Sequence, residues 1–204
     1  MFKKILLPTD GSPLSRKAVK QGVALAKSLG AKVVGFFSAE DYRVMMYSEY
    51  IPSSGISDEE FEEQAAKAAA KHLAFVEKTA REAGVPYEGL HLIGIAPWES
   101  IIEAAKKKKC DLIFMGSHGR SGLAGLVLGS QTHKVLTHSK IPVLVTHGDK
   151  DRNSKLGTAQ YTAKTIPGAK LSVYEGIGHA PFYEDAARFN TELTALVRSA
   201  NRTN

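Results

Sequence analysis

The residues best suited to chemistry are Gly116-Ser-His-Gly119, followed nine residues later by Gly129-Ser130. Glycines let backbone N–H groups approach an anion closely, and a helix N-terminus adds partial positive charge. The run follows an apolar, strand-like segment (Cys110 to Met115) and precedes a helix-like one, so it reads as a phosphate cradle. Asp10, in Pro8-Thr-Asp-Gly-Ser12, is a second candidate. A carboxylate suits vicinal hydroxyls, while backbone donors and a hydroxyl suit phosphate oxygens. Each residue also has a plainer reading. Asp10 can cap the turn that follows it, and Ser130 can cap a helix. His118 has no carboxylate partner close in sequence, which argues against a catalytic task.

Alternating strands and helices must position these loops. Lys4 to Leu7 reads as a first strand. Ser12 then caps a helix with Pro13 at its first position, and Gly30 stops it after Leu29. Lys32 to Ser38 is a second strand. Residues 40–56 show no clear period. Ser57-Asp-Glu-Glu60 is a capping box that opens a long alanine-rich helix, ended by Gly84 and Pro86. Strands follow at Tyr87 to Ile93, Asp111 to Met115 and Ile141 to Thr146, with helices at Pro97 to Lys108 and about Gly125 to Thr137. This alternation implies an α/β fold with a parallel sheet and helices on both faces. In such sheets ligands bind at the C-terminal strand ends, where strand order reverses. If strands one and four are neighbours, the loop after strand one and the glycine loop face each other across one crevice.

Composition narrows the partners. The net charge of +6 over 204 residues is spread along the chain. Its one basic block, Lys106 to Lys109, ends a helix and lacks the interleaved aromatics of a nucleic-acid platform. No nucleic-acid partner is expected. Trp98 is assigned to packing. The single cysteine, Cys110, excludes an internal disulfide and a multi-cysteine metal site, and suits a reducing cytoplasm. The N-terminal apolar run is too short for a signal peptide, and no stretch approaches membrane-spanning length.

Leu7-Pro-Thr-Asp-Gly-Ser12, Asp111 to Gly122, Leu128-Gly-Ser130 and Ile141 to Val145 together resemble a universal stress protein, over about residues 1–147. The spacing G-x2-G-x9-G-[ST] is that of the family's ATP-binding branch. The resemblance implies ATP bound between the loops after strands one and four. By that resemblance Asp10 would bind the ribose, and the chain at Pro8, Thr9 and Phe37 the adenine. Met115, Gly116, Gly119, Gly129 and Ser130 would line the phosphate end, with His118 and Arg120 near it. Gln131 stands where relatives often carry a small apolar or hydroxyl residue. Any divalent metal, such as Mg2+, would come only with the phosphates. No residue is an evident general base for attacking water, so slow ATP hydrolysis at most is expected.

Residues 148–204 read as an extension of that part, and from about residue 142 the chain resembles something else. Pro142 to Asp151, Ile166 to Leu171 and Gly178-His-Ala-Pro-Phe182 look like the C-terminal end of an α/β-hydrolase. That resemblance maps a triad acid onto Asp151 and a triad histidine onto His179. A hydrolase also needs a nucleophile elbow, G-x-S-x-G, and the chain contains none. Ser12 follows strand one, where a hydrolase sheet carries its nucleophile, but its evident job is capping. The pair therefore reads as a relic. The tail supplies a helix at Leu156 to Ile166, a sixth strand at Lys170 to Tyr174 and a last helix at Ala186 to Arg198. The expected architecture is a six-stranded, doubly wound, Rossmann- or flavodoxin-like parallel sheet in the order 3-2-1-4-5-6. The two resemblances meet at Pro142 to Val145, so the chain reads as a chimera of two half-folds, natural or made in a laboratory. Relatives commonly dimerise through strand five, which strand six should cover here, so a monomer is expected. The rival functions are an esterase-like hydrolase and a scaffold with no retained activity.

Overall fold

The computed structural model describes residues 2–41, 57–116, 130–139, 144–150, 152, 155–166, 168–178 and 181–200. They belong to two compact units, Phe2–Val135 and Leu136–Asn204. The first contains β1 (Lys4–Pro8), α1 (Pro13–Leu29), β2 (Lys32–Glu40), α2 (Asp58–Ala83), β3 (Tyr87–Gly94), α3 (Pro97–Lys107) and β4 (Leu112–Ile113). Its four strands are parallel, in the order β3-β2-β1-β4.

The helices start and stop where their caps stand. Ser12 accepts from the Ser15 N–H at 3.2 Å, with Pro13 just inside the helix. Ser57 and Glu60 form a reciprocal capping box on α2. Alternation along β1 sends Ile5 and Leu7 to one face, where they pack with Val19 and Val23 of α1 and Val76 and Ala80 of α2. Leu6, Val34 and Phe36 are equally buried and point the other way. There α3, which contributes buried Ile101 and Ala104, packs on the same strands. Two sheet glycines make room for one ring. A Cβ on Gly35 would lie 2.8 Å from Tyr87 Cε2, and one on Gly89 would lie 2.9 Å from the Tyr87 hydroxyl. Burial there, with Glu77 nearby, pushes the Tyr87 phenol up to about 12.

Helix α4 (Ser130–His138) crosses the sequence boundary between the units. The second unit contains β5 (Leu144–Gly148), α5 (Leu156–Thr165), β6 (Lys170–Tyr174), α6 (Pro181–Glu184) and α7 (Ala186–Ala200). β5 and β6 form a parallel pair running from Leu144 opposite Lys170 to Gly148 opposite Tyr174. Tyr174 is fully buried, and its hydroxyl donates to Glu192 Oε2 of α7 at 2.8 Å. Ser172 Oγ and Arg188 Nε donate to Glu192 Oε1 at 2.8 and 2.9 Å. The Arg188 guanidinium also lies over the Tyr174 ring, 4.0 Å from its centre. This network joins α7 to β6.

The sheet differs from expectation. The order 3-2-1-4 is observed, but β5 and β6 form a sheet of their own, and no pairing of β4 with β5 occurs among the described residues. Strand four is two residues long rather than five. The Phe114 N–H still reaches the Leu6 carbonyl at 2.9 Å. Beyond it the chain turns to Gly116, whose carbonyl accepts from a helix side chain instead of a strand. β5 begins at Leu144; residues 141–143 of the expected strand lie outside the described residues. The short α6 was not expected.

Candidate functional site

Strands β1 and β4 are neighbours, with Ile5 opposite Leu112 and Leu6 opposite Ile113. The chain therefore leaves both strands side by side, where the order reverses about β1.

The loop after β1 is tightly internally bonded. Pro8 pairs with Phe36 in the ladder, and the Thr9 N–H donates to the Phe36 carbonyl at 2.9 Å. Thr9 is buried; its hydroxyl accepts from the Gly11 N–H at 3.2 Å and lies 3.1 Å from Ser15 Oγ. Asp10 does cap its turn, accepting from the Ser12 N–H on Oδ1 at 3.0 Å. That bond fixes the direction of the carboxylate. Gly11 has φ +77°, a conformation that disfavours any side chain. A Cβ there would also collide with the His72 ring of α2, lying 2.7 Å from Cε1. The same imidazole stacks on Phe37, with ring centres 4.7 Å apart and planes 18° apart. One residue on, Ser38 Oγ is buried without a hydrogen-bond partner.

On the β4 side, Thr132 Oγ1 of α4 donates to the Gly116 carbonyl at 3.0 Å. This bond brings together the two ends of the glycine run, Gly116 and the start of α4 at Ser130. Met115 and Gly116 are half-buried, and Ser130 is exposed. Gln131 has a structural task. α3 begins at Ala96, which offers no side-chain cap, and Gln131 Oε1 accepts from the Trp98 N–H at 3.2 Å instead. The side-chain carbonyl of Gln131, one of the nominated nucleotide-binding residues, is thus engaged with the start of α3. Trp98 packs beside α4, with Lys134 Nζ 6.0 Å from its ring centre. His118, Gly119, Arg120 and Gly129 lie outside the described residues.

Asp151 and His179 also lie outside them. Their neighbours are joined: the Asp149 N–H donates to the Tyr174 carbonyl at 3.0 Å, and the Lys150 N–H to that of Ile177 at 2.9 Å. Asp149 Oδ1 accepts from the Gly176 N–H at 2.7 Å. Ser12 Oγ is used as a cap. Among the described residues no group of three His, Cys, Asp or Glu could hold a metal, and no helix is long and apolar enough to cross a membrane. Cys110 is half-buried, and burial pushes its thiol up to about 11, far from a reactive thiolate. A groove of about 480 Å³ runs between Ala66, Ala70 and Leu73 of α2 and the edge strand β3, and none of the nominated residues lines it.

Residues 1–147 match the universal stress protein family. The chain belongs to that family. A universal stress protein of Methanocaldococcus jannaschii is 36% identical over 155 residues, covering 74% of this chain and 85% of the other. The universal stress protein YxiE of Bacillus subtilis is 36% identical over 149 residues, covering 71% of this chain and 99% of its own. A solved universal stress protein in complex with cAMP superposes with a TM-score of 0.50 at 26% identity, covering 68% of this chain and 92% of that one. The universal stress protein match ends at residue 147, so the hydrolase resemblance of the tail rests on its residues alone.

His72 and the capping role of Gln131 are absent from the motif reading. Both act across long sequence separations, and neither stands in a motif. The one local sign was that Gln131 departs from the family pattern.

Proposed function

We propose that this universal stress protein binds an adenine nucleotide, ATP or a relative of it, between the loops after β1 and β4. The observation that carries this reading is the bond from Thr132 to the Gly116 carbonyl. It holds both ends of a glycine-rich run at the start of a helix, beside the Asp10 loop on the neighbouring strand. The residues present fit such a ligand. Asp10 is oriented as an acceptor for ribose hydroxyls. The Thr9 N–H is already given to Phe36, so a base would meet the Thr9 carbonyl and the chain at Phe37 of β2. The orphaned Ser38 hydroxyl follows Phe37 along β2 and lacks the partner that a buried polar atom requires. Gly116, Gly119, Gly129 and Ser130 would hold the phosphates, with His118, Arg120 and any Mg2+ beside them. A family relative solved with cAMP agrees with an adenine ligand.

The bound phosphates supply the negative charge that the glycine loop and helix terminus receive. The sequence offers no evident general base for attacking water, so binding with slow turnover at most is the reading. The one tryptophan, Trp98, is bonded to Gln131 beside Ser130, so its emission should report loading. Titration with ATP should shift Trp98 fluorescence saturably in the wild type. An Asp10→Ala variant should need roughly tenfold more nucleotide. Equal titrations of the two would overturn the assignment of Asp10.

The finer architecture belongs to the same reading: a six-stranded order 3-2-1-4-5-6, and a monomer because β6 occupies an edge of β5. The chimera reading rests on the tail motifs. If the tail were an active hydrolase, a small activated ester would be cleaved and His179→Ala would abolish the cleavage. We expect no turnover above background, because the nucleophile elbow is missing.

A further inference from the structure

We propose that His72, in the middle of α2, is a positioning residue for the base end of the nucleotide site. The proposal rests on the nucleotide reading above and adds a residue that the glycine and Asp10 motifs do not contain. Its imidazole touches two parts of the site at once. One face stacks on Phe37 of β2, next to the Phe36 that pairs with the end of β1, at 4.7 Å between ring centres and 18° between planes. Its Nδ1–Cε1 edge packs directly against Gly11, next to Asp10, closely enough that no side chain fits there. The Gly11 carbonyl is held from the other side by Arg16 Nε at 3.2 Å, and that guanidinium lies over Phe75 of α2, 5.0 Å from its ring centre. α2 therefore grips the Asp10 loop through two side chains, His72 directly and Phe75 through Arg16. Of these, His72 alone also sets the Phe37 ring.

The consequence is a preformed spacing between the base-contacting chain at Phe37 and the ribose-contacting carboxylate. Binding is strongest when such a spacing need not be created by the ligand. Removing the imidazole frees the Phe37 ring and the Gly11 turn together, so ligand binding must order both. A flat ring in its place keeps the stack.

The test is calorimetric titration of the full chain with ATP and with cAMP, for the wild type, His72→Ala, His72→Phe and Val76→Ala. Val76 is fully buried on the same helix, where it faces Gly35 within the hydrophobic core. His72→Ala is expected to weaken both nucleotides about tenfold, and His72→Phe to recover most of the loss. Val76→Ala should lower the melting temperature while leaving affinity within about twofold of the wild type. Wild-type affinity in His72→Ala would overturn the role of His72 and leave the nucleotide site intact. Equal losses in His72→Ala and Val76→Ala would overturn it too, by making the effect one of general stability. A wild-type protein that binds neither nucleotide would overturn the nucleotide reading, and this role with it.

Discussion

At the residue scale, Asp10 and Gly11 carry more than one duty. Asp10 spends Oδ1 on its own turn, which points the carboxylate before any ligand arrives. In the proposed nucleotide reading this cap would orient the carboxylate for the ribose. Gly11 combines a left-handed backbone with contact to His72. Gly11→Ala should destabilise the protein by at least ~1–2 kcal/mol from backbone strain alone, measured by denaturant unfolding. Most of the Asp10 loop was legible in the sequence, since Asx turns, caps and strand ends are local. His72 was not: a histidine in the middle of an alanine-rich helix carries no local sign of which loop it meets. Gln131 is intermediate. Its departure from the family pattern was visible, while its reason, an uncapped helix 33 residues earlier in the chain, appears only in three dimensions.

At the element scale, helices begin where a polar group accepts their first N–H donors. α1 and α2 carry their own acceptors, Ser12 and Ser57, and both boundaries were legible. α3 has Ala96 at that place and borrows Gln131 from α4. Gln131→Leu should cost about 1 kcal/mol of stability, the usual worth of an N-terminal cap, and should also alter the Trp98 emission of the free protein. In the second unit, α7 is held to β6 by Glu192. Burial alone would raise its carboxyl; the hydrogen bonds from Ser172, Tyr174 and Arg188 overcome that and hold it below the usual range of about 4.5. A lowered folded value means that the stabilisation is complete above the unfolded value and fades as pH falls through the folded one. Glu192→Gln should therefore melt below the wild type at neutral pH, and the gap should close on acidification below about pH 4.5. A gap that stays constant down to acid pH would remove Glu192 from this role. Burial and the Glu192 bond push the Tyr174 phenol up to about 12, so this group's stabilisation is complete below about pH 10 and is lost as pH rises from there through about 12.

At the scale of the whole molecule, a stress-protein sheet is continued in sequence by a second compact unit built on the β5–β6 pair. The order 3-2-1-4 was legible through the family resemblance, whereas the right-handed crossover rule alone only narrows the choices. The expected join between strands four and five is not among the described pairings, for strand four ends after two residues. β6 occupies an edge of β5, so sedimentation should give a monomer, or a dimer that leaves β5 out of its interface. Cross-linking between two β5 strands would contradict that. The proposed nucleotide crevice lies beside β1, and calorimetry with ATP measures its occupancy. Saturable heat at about one nucleotide per chain, weakened roughly tenfold by Asp10→Ala, is expected. Absence of heat at high micromolar ATP, or identical curves for the two proteins, would contradict it.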